Sequence, residues 1–233
     1  MKNIFLVDVD DTILDFHGAS TLALSAAFQN NGVAWEENLE REFRSFNTSL
    51  WEALERKEIT WEELMRERFP RFFKRMGMEE VDGDLVNRSF IEYISTHPIY
   101  FEGAENFLKK LSKMGRIYLV TNGTKEIQKS RFDIANLWEK AEKVFISQEA
   151  GFDKPAKEYT DYVMEHIPNF ARENAVWIGD SLSADIKAAN DAHITSIWFN
   201  PKKKSLSGQA KPNYIAERFE EILEILQKIN ANL

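Results

Sequence analysis

Four short polar clusters in this chain each follow an apolar run. Asp8-Val9-Asp10-Asp11-Thr12 comes after residues 4–7, and Thr121-Asn122-Gly123 after 117–120. Gly151-Phe152-Asp153-Lys154-Pro155 follows 144–146, and Gly179-Asp180-Ser181, with Asp185 beyond it, follows 175–178. Singly, each has a plain structural role: an acidic turn, a helix cap, a solvated lysine. At successive strand ends of one parallel sheet they would converge on one crevice. Carboxylates gathered there repel unless a cation sits among them. Hard oxygen donors without His or Cys suit Mg²⁺, which keeps several waters and shares phosphate oxygens. Three carboxylates, a hydroxyl and an ammonium then meet the needs of phosphoryl transfer. Cations neutralise the non-bridging oxygens, one carboxylate attacks in line to give an aspartyl-phosphate, and a second carries protons to the leaving alkoxide and from water.

The elements that must position these groups are legible too. The apolar runs are too short for helices and carry no polar face, as strands buried on both sides require; a fifth such run spans 195–199. Between them lie helical patterns. Residues 105–114 place Phe107, Leu108 and Leu111 on one face and stop at Gly115; Thr124 stands as a cap for the next helix. Residues 217–230 repeat Phe219, Ile222, Leu223, Ile225 and Leu226 at helical spacing. This alternation predicts an α/β fold, a Rossmann-like doubly wound parallel sheet.

Residues 15–97 break the alternation with helical patterns at 19–29, 36–56 and 84–95. Thr60-Trp61-Glu62-Glu63 is a capping box opening a further helix, which Pro70 is expected to interrupt. An all-helical cap inserted after the first strand follows, with a core of 1–14 and 99–233 and a cap of 15–98. The connections near 14–17 and 97–101 are the expected hinges, and Lys202-Lys203-Lys204 reads as a solvated loop.

Composition bounds the partners. The 233 residues are 43% hydrophobic, enough for a packed core, and 30 basic against 38 acidic residues give a net charge of −8. That sign argues against a nucleic-acid polymer or an anionic membrane as partner, while leaving room for a small anion in a local site. Cysteine is absent, which removes disulfides and thiolate chemistry. With no apolar run near the roughly 18 residues of a membrane span and acidic residues from position 8 onward, the expectation is a cytoplasmic monomer or homodimer.

Asp8-Val9-Asp10-Asp11-Thr12, Thr121, Lys154 and Gly179-Asp180-Ser181-Leu182-Ser183-Ala184-Asp185 resemble, in order, the four motifs of the haloacid dehalogenase superfamily. The likeness spans nearly the whole chain and includes the α-helical cap after the first motif. It implies that Asp8 is the nucleophile and a Mg²⁺ ligand. Asp10 is implied to be the general acid and base, its backbone carbonyl also on the metal, with Thr12 orienting its loop. Thr121 and the Asn122 N–H would hold the phosphoryl group, and Lys154 would offset charge between it and the nucleophile. Asp180 would bind Mg²⁺, and Asp185 would act through a metal-bound water or Lys154.

Dehalogenases of that superfamily usually lack an acid at the place of Asp10, so the resemblance implies cleavage of a small-molecule phosphate ester. Phosphonate cleavage would need a cap lysine; Lys57 and Lys74 are there and read as solvated. A mutase is a further alternative. Phe46-Asn47-Thr48-Ser49-Leu50-Trp51, the run to Ile59-Thr60 and the pair Arg68-Phe69 resemble the cap of bacterial pyrimidine 5′-nucleotidases that act on noncanonical nucleotides. That implies a nucleoside 5′-monophosphate substrate. A sugar or metabolite phosphatase and a phosphate-binding regulatory protein without turnover are the alternatives. Trp51 and Phe46 are candidates to stack on a base, although packing within the cap is the expected role of each; Arg44 and Arg68 are candidates to touch a sugar or phosphate, with solvation at the surface the expected role.

Overall fold

The computed structural model describes residues 1–56 and 58–231; Lys57 lies outside the described residues. From the N-terminus, β1 (Ile4–Asp8) leads to four helices, α1 (Phe16–Asn30), α2 (Glu37–Glu55), α3 (Trp61–Arg75) and α4 (Gly83–Thr96). Strands and helices then alternate: α5 (Ala104–Leu111), β2 (Arg116–Thr121), α6 (Lys125–Ile134), β3 (Lys143–Ile146), α7 (Ser147–Ala150), α8 (Lys157–Glu165) and β4 (Ala175–Gly179). The chain finishes with α9 (Lys187–Asp191), β5 (Thr195–Phe199), β6 (Tyr214–Ala216) and α10 (Phe219–Ala231). Two compact units result, Met1–Phe16 with Pro98–Leu233, and His17–His97.

In the first unit six parallel strands form one sheet in the order β3-β2-β1-β4-β5-β6. Two-residue periodicity divides its side chains between two cores. Phe5, Val7, Ile117, Leu119, Val176 and Ile178 pack on one face with Phe107 and Leu111 of α5, Phe132 of α6 and Ile222 of α10. Ile4, Leu6, Tyr118, Val120 and Trp177 pack on the other with Tyr159 and Val163 of α8 and Ala188 and Ala189 of α9. The sheet is thus doubly wound. From β1 the chain builds outward through β2 and β3, then crosses to β4 on the other side, which makes the β1/β4 boundary a topological switch point.

Strand β6 carries no sequence signal, because it is a three-residue edge strand with Tyr214 and Ile215 exposed. Gly115 does not close α5, which ends at Leu111. It is glycine because a Cβ there would lie 2.3 Å from the Asn3 carbonyl oxygen. Thr124 occupies the N-cap position of α6, yet its hydroxyl makes no capping bond.

The helical unit has its own core of phenylalanines. Phe28, Phe43, Phe69, Phe72 and Phe73 contact one another ring to ring, Phe43 and Phe69 stacked at 4.6 Å. Each such pair contributes about 0.5–1.5 kcal/mol beyond its buried area. Thr60 and Glu63 form the capping box of α3. Pro70 does not interrupt that helix. Phe69, Phe72 and Phe73 hold the helix through it by burial, and Gly83 at the start of α4 comes so near that a Cβ would meet the Pro70 nitrogen at 2.5 Å.

Candidate active site

Asp8 is the last residue of β1, and the chain turns sharply after it. The amides of Thr12, Ile13 and Leu14 all point to the Val9 carbonyl, at 3.3, 2.8 and 2.9 Å, and Asp11 takes a left-handed φ of 60°. Aspartate tolerates that conformation better than most residues. The turn is held at its far end: Asp15 N–H donates to Ile99 and Phe101 N–H to the Ile13 carbonyl, so the two expected hinge segments are hydrogen-bonded to each other.

Lys154 links three of the four clusters. Its ammonium donates to Asp8 Oδ1 at 2.6 Å, Asp185 Oδ1 at 2.7 Å and the Val120 carbonyl at 3.2 Å, which uses all its protons. Asn122 fixes the backbone behind it, donating from Nδ2 to the Lys154 carbonyl at 3.0 Å and accepting from Lys154 N–H at 2.8 Å. Burial disfavours the Lys154 cation, but the charges of Asp185 and Asp8 outweigh this and raise its pKa. Burial, then the Asp185 charge, pushes Asp8 well above the usual carboxylate range; Lys154 pulls it back and Asp180 pushes it further up.

Gly179 ends β4 without a side chain because Asp185 occupies that space: a Cβ would lie 2.3 Å from the Asp185 Cγ. Asp185 also accepts from Ser181 N–H at 3.1 Å, and the residues between form a π-helical turn, Leu182–Ile186. Asp180 is anchored through its carbonyl by Trp198 Nε1 at 2.7 Å, and Lys204 Nζ lies 3.2 Å from its Oδ2. The lysine run at 202–204 is therefore more than a solvated loop. Asn200 accepts from the Lys204 amide and donates to its carbonyl, which brings that ammonium to the site. Burial and the neighbouring Asp185 push Asp180 up to about 7, against the pull of Lys204.

Asp10, Thr121 and Thr12 stand beside this cluster. Gln128 of α6 donates to both Asp10 Oδ2 and Thr121 Oγ1, each at 2.8 Å, while Arg131 Nη2 lies 2.6 Å from Asp10 Oδ1. Thr12 is fully buried and its hydroxyl finds no partner among the described residues. Gln128, Arg131 and Lys204 escaped the sequence reading because each lies within a polar, helical or loop stretch with nothing local to mark it as inward-facing.

One carboxylate oxygen each from Asp8, Asp180 and Asp185 falls within 4.8 Å of the others. Asp8 Oδ2 is buried without a hydrogen-bond partner among the described residues. An all-oxygen anionic set with an orphaned buried oxygen fits a hard dication such as Mg²⁺, and the raised carboxyl pKa values are what such a set shows before its charge is balanced.

The family model for haloacid dehalogenase-like hydrolases matches residues 2–193. The chain belongs to that family. Among hydrolases it is similar to HAD-hydrolase YfnB of Bacillus subtilis, 35% identical over 95% of this chain and 94% of the relative. A structure of YfnB solved bound to magnesium superposes with a TM-score of 0.90 at 34% identity, covering 96% of this chain and 98% of that one. Pyrimidine 5′-nucleotidase PynA of Streptococcus pneumoniae is 33% identical over 96% of this chain and 94% of the relative. Pyrimidine 5′-nucleotidase YjjG of Escherichia coli is 25% identical over 95% and 96%.

Within the helical unit of this hydrolase the predicted substrate contacts fare unevenly. Arg68 is not solvated. It is 6% exposed, donates from Nε to Asn87 Oδ1 at 3.1 Å and lies over the rings of Phe69 and Phe90. Burial lowers its pKa to about 10. Arg44 bonds Glu40 and Thr21. Phe46 packs on Phe72 with Arg75 over its ring, whereas Trp51 is 41% exposed. Lys74 is exposed. Among the described residues no helix is long and apolar enough to cross a membrane.

Proposed function

We propose that the protein is a Mg²⁺-dependent phosphomonoesterase acting on nucleoside 5′-monophosphates, pyrimidine ones foremost, through a phosphoryl group carried on Asp8. The observation that carries the chemistry is the state of Asp8. One oxygen is held by Lys154 at 2.6 Å, and the other is buried beside Asp180 and Asp185, without a hydrogen-bond partner among the described residues. A carboxylate so fixed can direct a lone pair at phosphorus without first reorganising.

Asp8, Asp180 and the Asp10 backbone carbonyl would hold Mg²⁺, which when bound neutralises charge on the phosphoryl oxygens. Asp8 then forms the new P–O bond as the ester P–O bond breaks, and the Asp10 carboxylic acid gives its proton to the departing alkoxide. In the second half Asp10, now ionised, takes a proton from water as its oxygen attacks phosphorus and the bond to Asp8 breaks. Thr121 and the Asn122 N–H hold the transferring group, and Lys154 offsets the charge between it and Asp8. Asp185 keeps that ammonium in place, with the turn around Thr12 setting the position of Asp10.

The nucleotide assignment is supported by the likeness to PynA and YjjG along nearly the whole chain. Release of phosphate from UMP, dUMP, dTMP and a set of sugar phosphates, with Mg²⁺ and with chelator, tests both parts. The expected result is turnover of the pyrimidine nucleotides that disappears in chelator. A preference for sugar phosphates would overturn the substrate class and leave the chemistry standing; turnover in chelator would overturn the metal.

A further inference from the structure

We infer that Gln128, anchored by Arg131, is a positioning residue that fixes the Asp10 carboxylate for proton transfer and links it to the Thr121 hydroxyl. The inference rests on the reading of Asp10 as acid and base. Asp10 sits on a turn with its side chain 24% exposed, so nothing in its own backbone holds the carboxylate in one orientation. Gln128 and Arg131 are one helical turn apart on α6 and both only 1% exposed.

Their contacts form a closed circuit. The Gln128 amide nitrogen donates to Asp10 Oδ2 and to Thr121 Oγ1, both at 2.8 Å, and its oxygen accepts from Arg131 Nη1 at 2.7 Å. Arg131 Nη2 closes it at 2.6 Å from Asp10 Oδ1, an ion pair whose N–H is not aligned as a hydrogen bond. Because Arg131 claims the oxygen of Gln128, the amide cannot flip, and its NH₂ must face Asp10 and Thr121. Since Thr121 Oγ1 accepts from Gln128, the hydroxyl proton is left to point at a phosphoryl oxygen. Space for the amide comes from Gly123, where a Cβ would lie 2.9 Å from Gln128 Cγ and 3.0 Å from its Nε2. The guanidinium is itself backed by the Phe16 ring, 5.3 Å away.

Leaving-group dependence separates positioning of a proton donor from general structural support. An alkyl phosphate needs its leaving oxygen protonated, whereas p-nitrophenolate departs without a proton. In Gln128→Met, kcat/KM for a nucleoside 5′-monophosphate is expected to fall about 10²-fold, the scale of a displaced catalytic group, while that for p-nitrophenyl phosphate falls by a clearly smaller factor, the share owed to the freed Thr121 hydroxyl that both esters use. Should Gln128→Met not fold, Gly123→Ala pushes the same amide aside without deleting it and should give the same pattern. Equal losses on the two esters, or no loss on either, overturn the inference. Asp10→Asn run in parallel tells the two levels apart. If it discriminates between the esters and Gln128→Met does not, the positioning role alone is wrong; if Asp10→Asn fails to discriminate, the acid–base reading falls and takes the inference with it.

Discussion

Both units of this molecule bury cations, and they do so in opposite ways. In the sheet unit Lys154 is surrounded by formal negative charge, bonded to Asp8 and Asp185. In the helical unit Arg68 is equally enclosed but meets an amide oxygen and two aromatic faces, and among the described residues no carboxylate is bonded to it. The outcome follows from the surroundings: the Lys154 pKa is raised, and that of Arg68 is lowered to about 10. A cation compensated by acids that themselves repel one another belongs to a site arranged around charge, such as an incoming phosphate and its metal. A cation compensated by an amide and rings belongs to packing. On the proposed function the contrast separates where bonds are broken from where shape is kept, and substitutions in the two units should part accordingly.

The largest effect is expected at Asp8. Asp8→Asn keeps the shape and removes the attacking oxygen charge, so turnover of any phosphate ester should fall on the order of 10⁴-fold or more. Activity within the wild-type range would mean that no phosphoryl group passes through this residue.

Lys154→Met comes next and should act on stability as well as rate. It leaves Asp8 and Asp185 buried with no cation between them, and breaking such a pair from one side costs about 3–5 kcal/mol. Urea unfolding in chelator should show a lower midpoint at unchanged slope, with Mg²⁺ recovering part of the loss. An unshifted midpoint would erase the distinction drawn between the two cations.

Much of this contrast could be read from the chain before any coordinates. Asp8, Lys154, Asp180 and Asp185 were visible because each follows an apolar run short enough to be a buried strand, and a parallel sheet brings such ends together. Residues that approach the site from helix interiors and loops were not. Gln128 and Arg131 lie in a polar helix, and only tertiary packing turns that face inward. Lys204 belongs to a basic run that looks solvated until Asn200 clasps its backbone. Arg68 failed in the opposite direction: charge argued for the surface, but the phenylalanines around it closed over the guanidinium. Pro70 and Gly115 show the same limit for the fold, since their local preferences gave way to burial and to a close backbone approach.

A smaller effect is expected from pH on the metal-free protein. The Asp180 carboxyl stands at about 7 in the folded chain against an ordinary 3.8. Between those values the folded protein keeps a proton that the unfolded chain has released, so this group's contribution to stability is present below about 4 and is lost as pH rises toward 7. Asp180→Asn removes the titration. In chelator the variant should therefore gain on wild type steadily across that window, as read from urea midpoints. A difference between the two proteins that stays constant with pH would show that burial and the Asp185 charge do not raise the Asp180 carboxyl in the folded chain.

The smallest effect is expected at Arg68, and it bears most directly on the comparison. Arg68→Met keeps the aliphatic stem between Phe69 and Phe90 but leaves Asn87 Oδ1 without its donor. An unsatisfied buried acceptor costs about 1–3 kcal/mol, offset in part because a desolvated charge is removed with it. Thermal unfolding should therefore occur at a somewhat lower temperature, while kcat and KM for a nucleotide and for p-nitrophenyl phosphate stay as in wild type. The informative failure is the reverse pattern. An unchanged melting temperature with a raised KM for the nucleotide alone would mean that the guanidinium touches substrate. The helical unit would then contribute a charged contact of its own, and the division between a unit that does chemistry and one that keeps shape would have to be withdrawn.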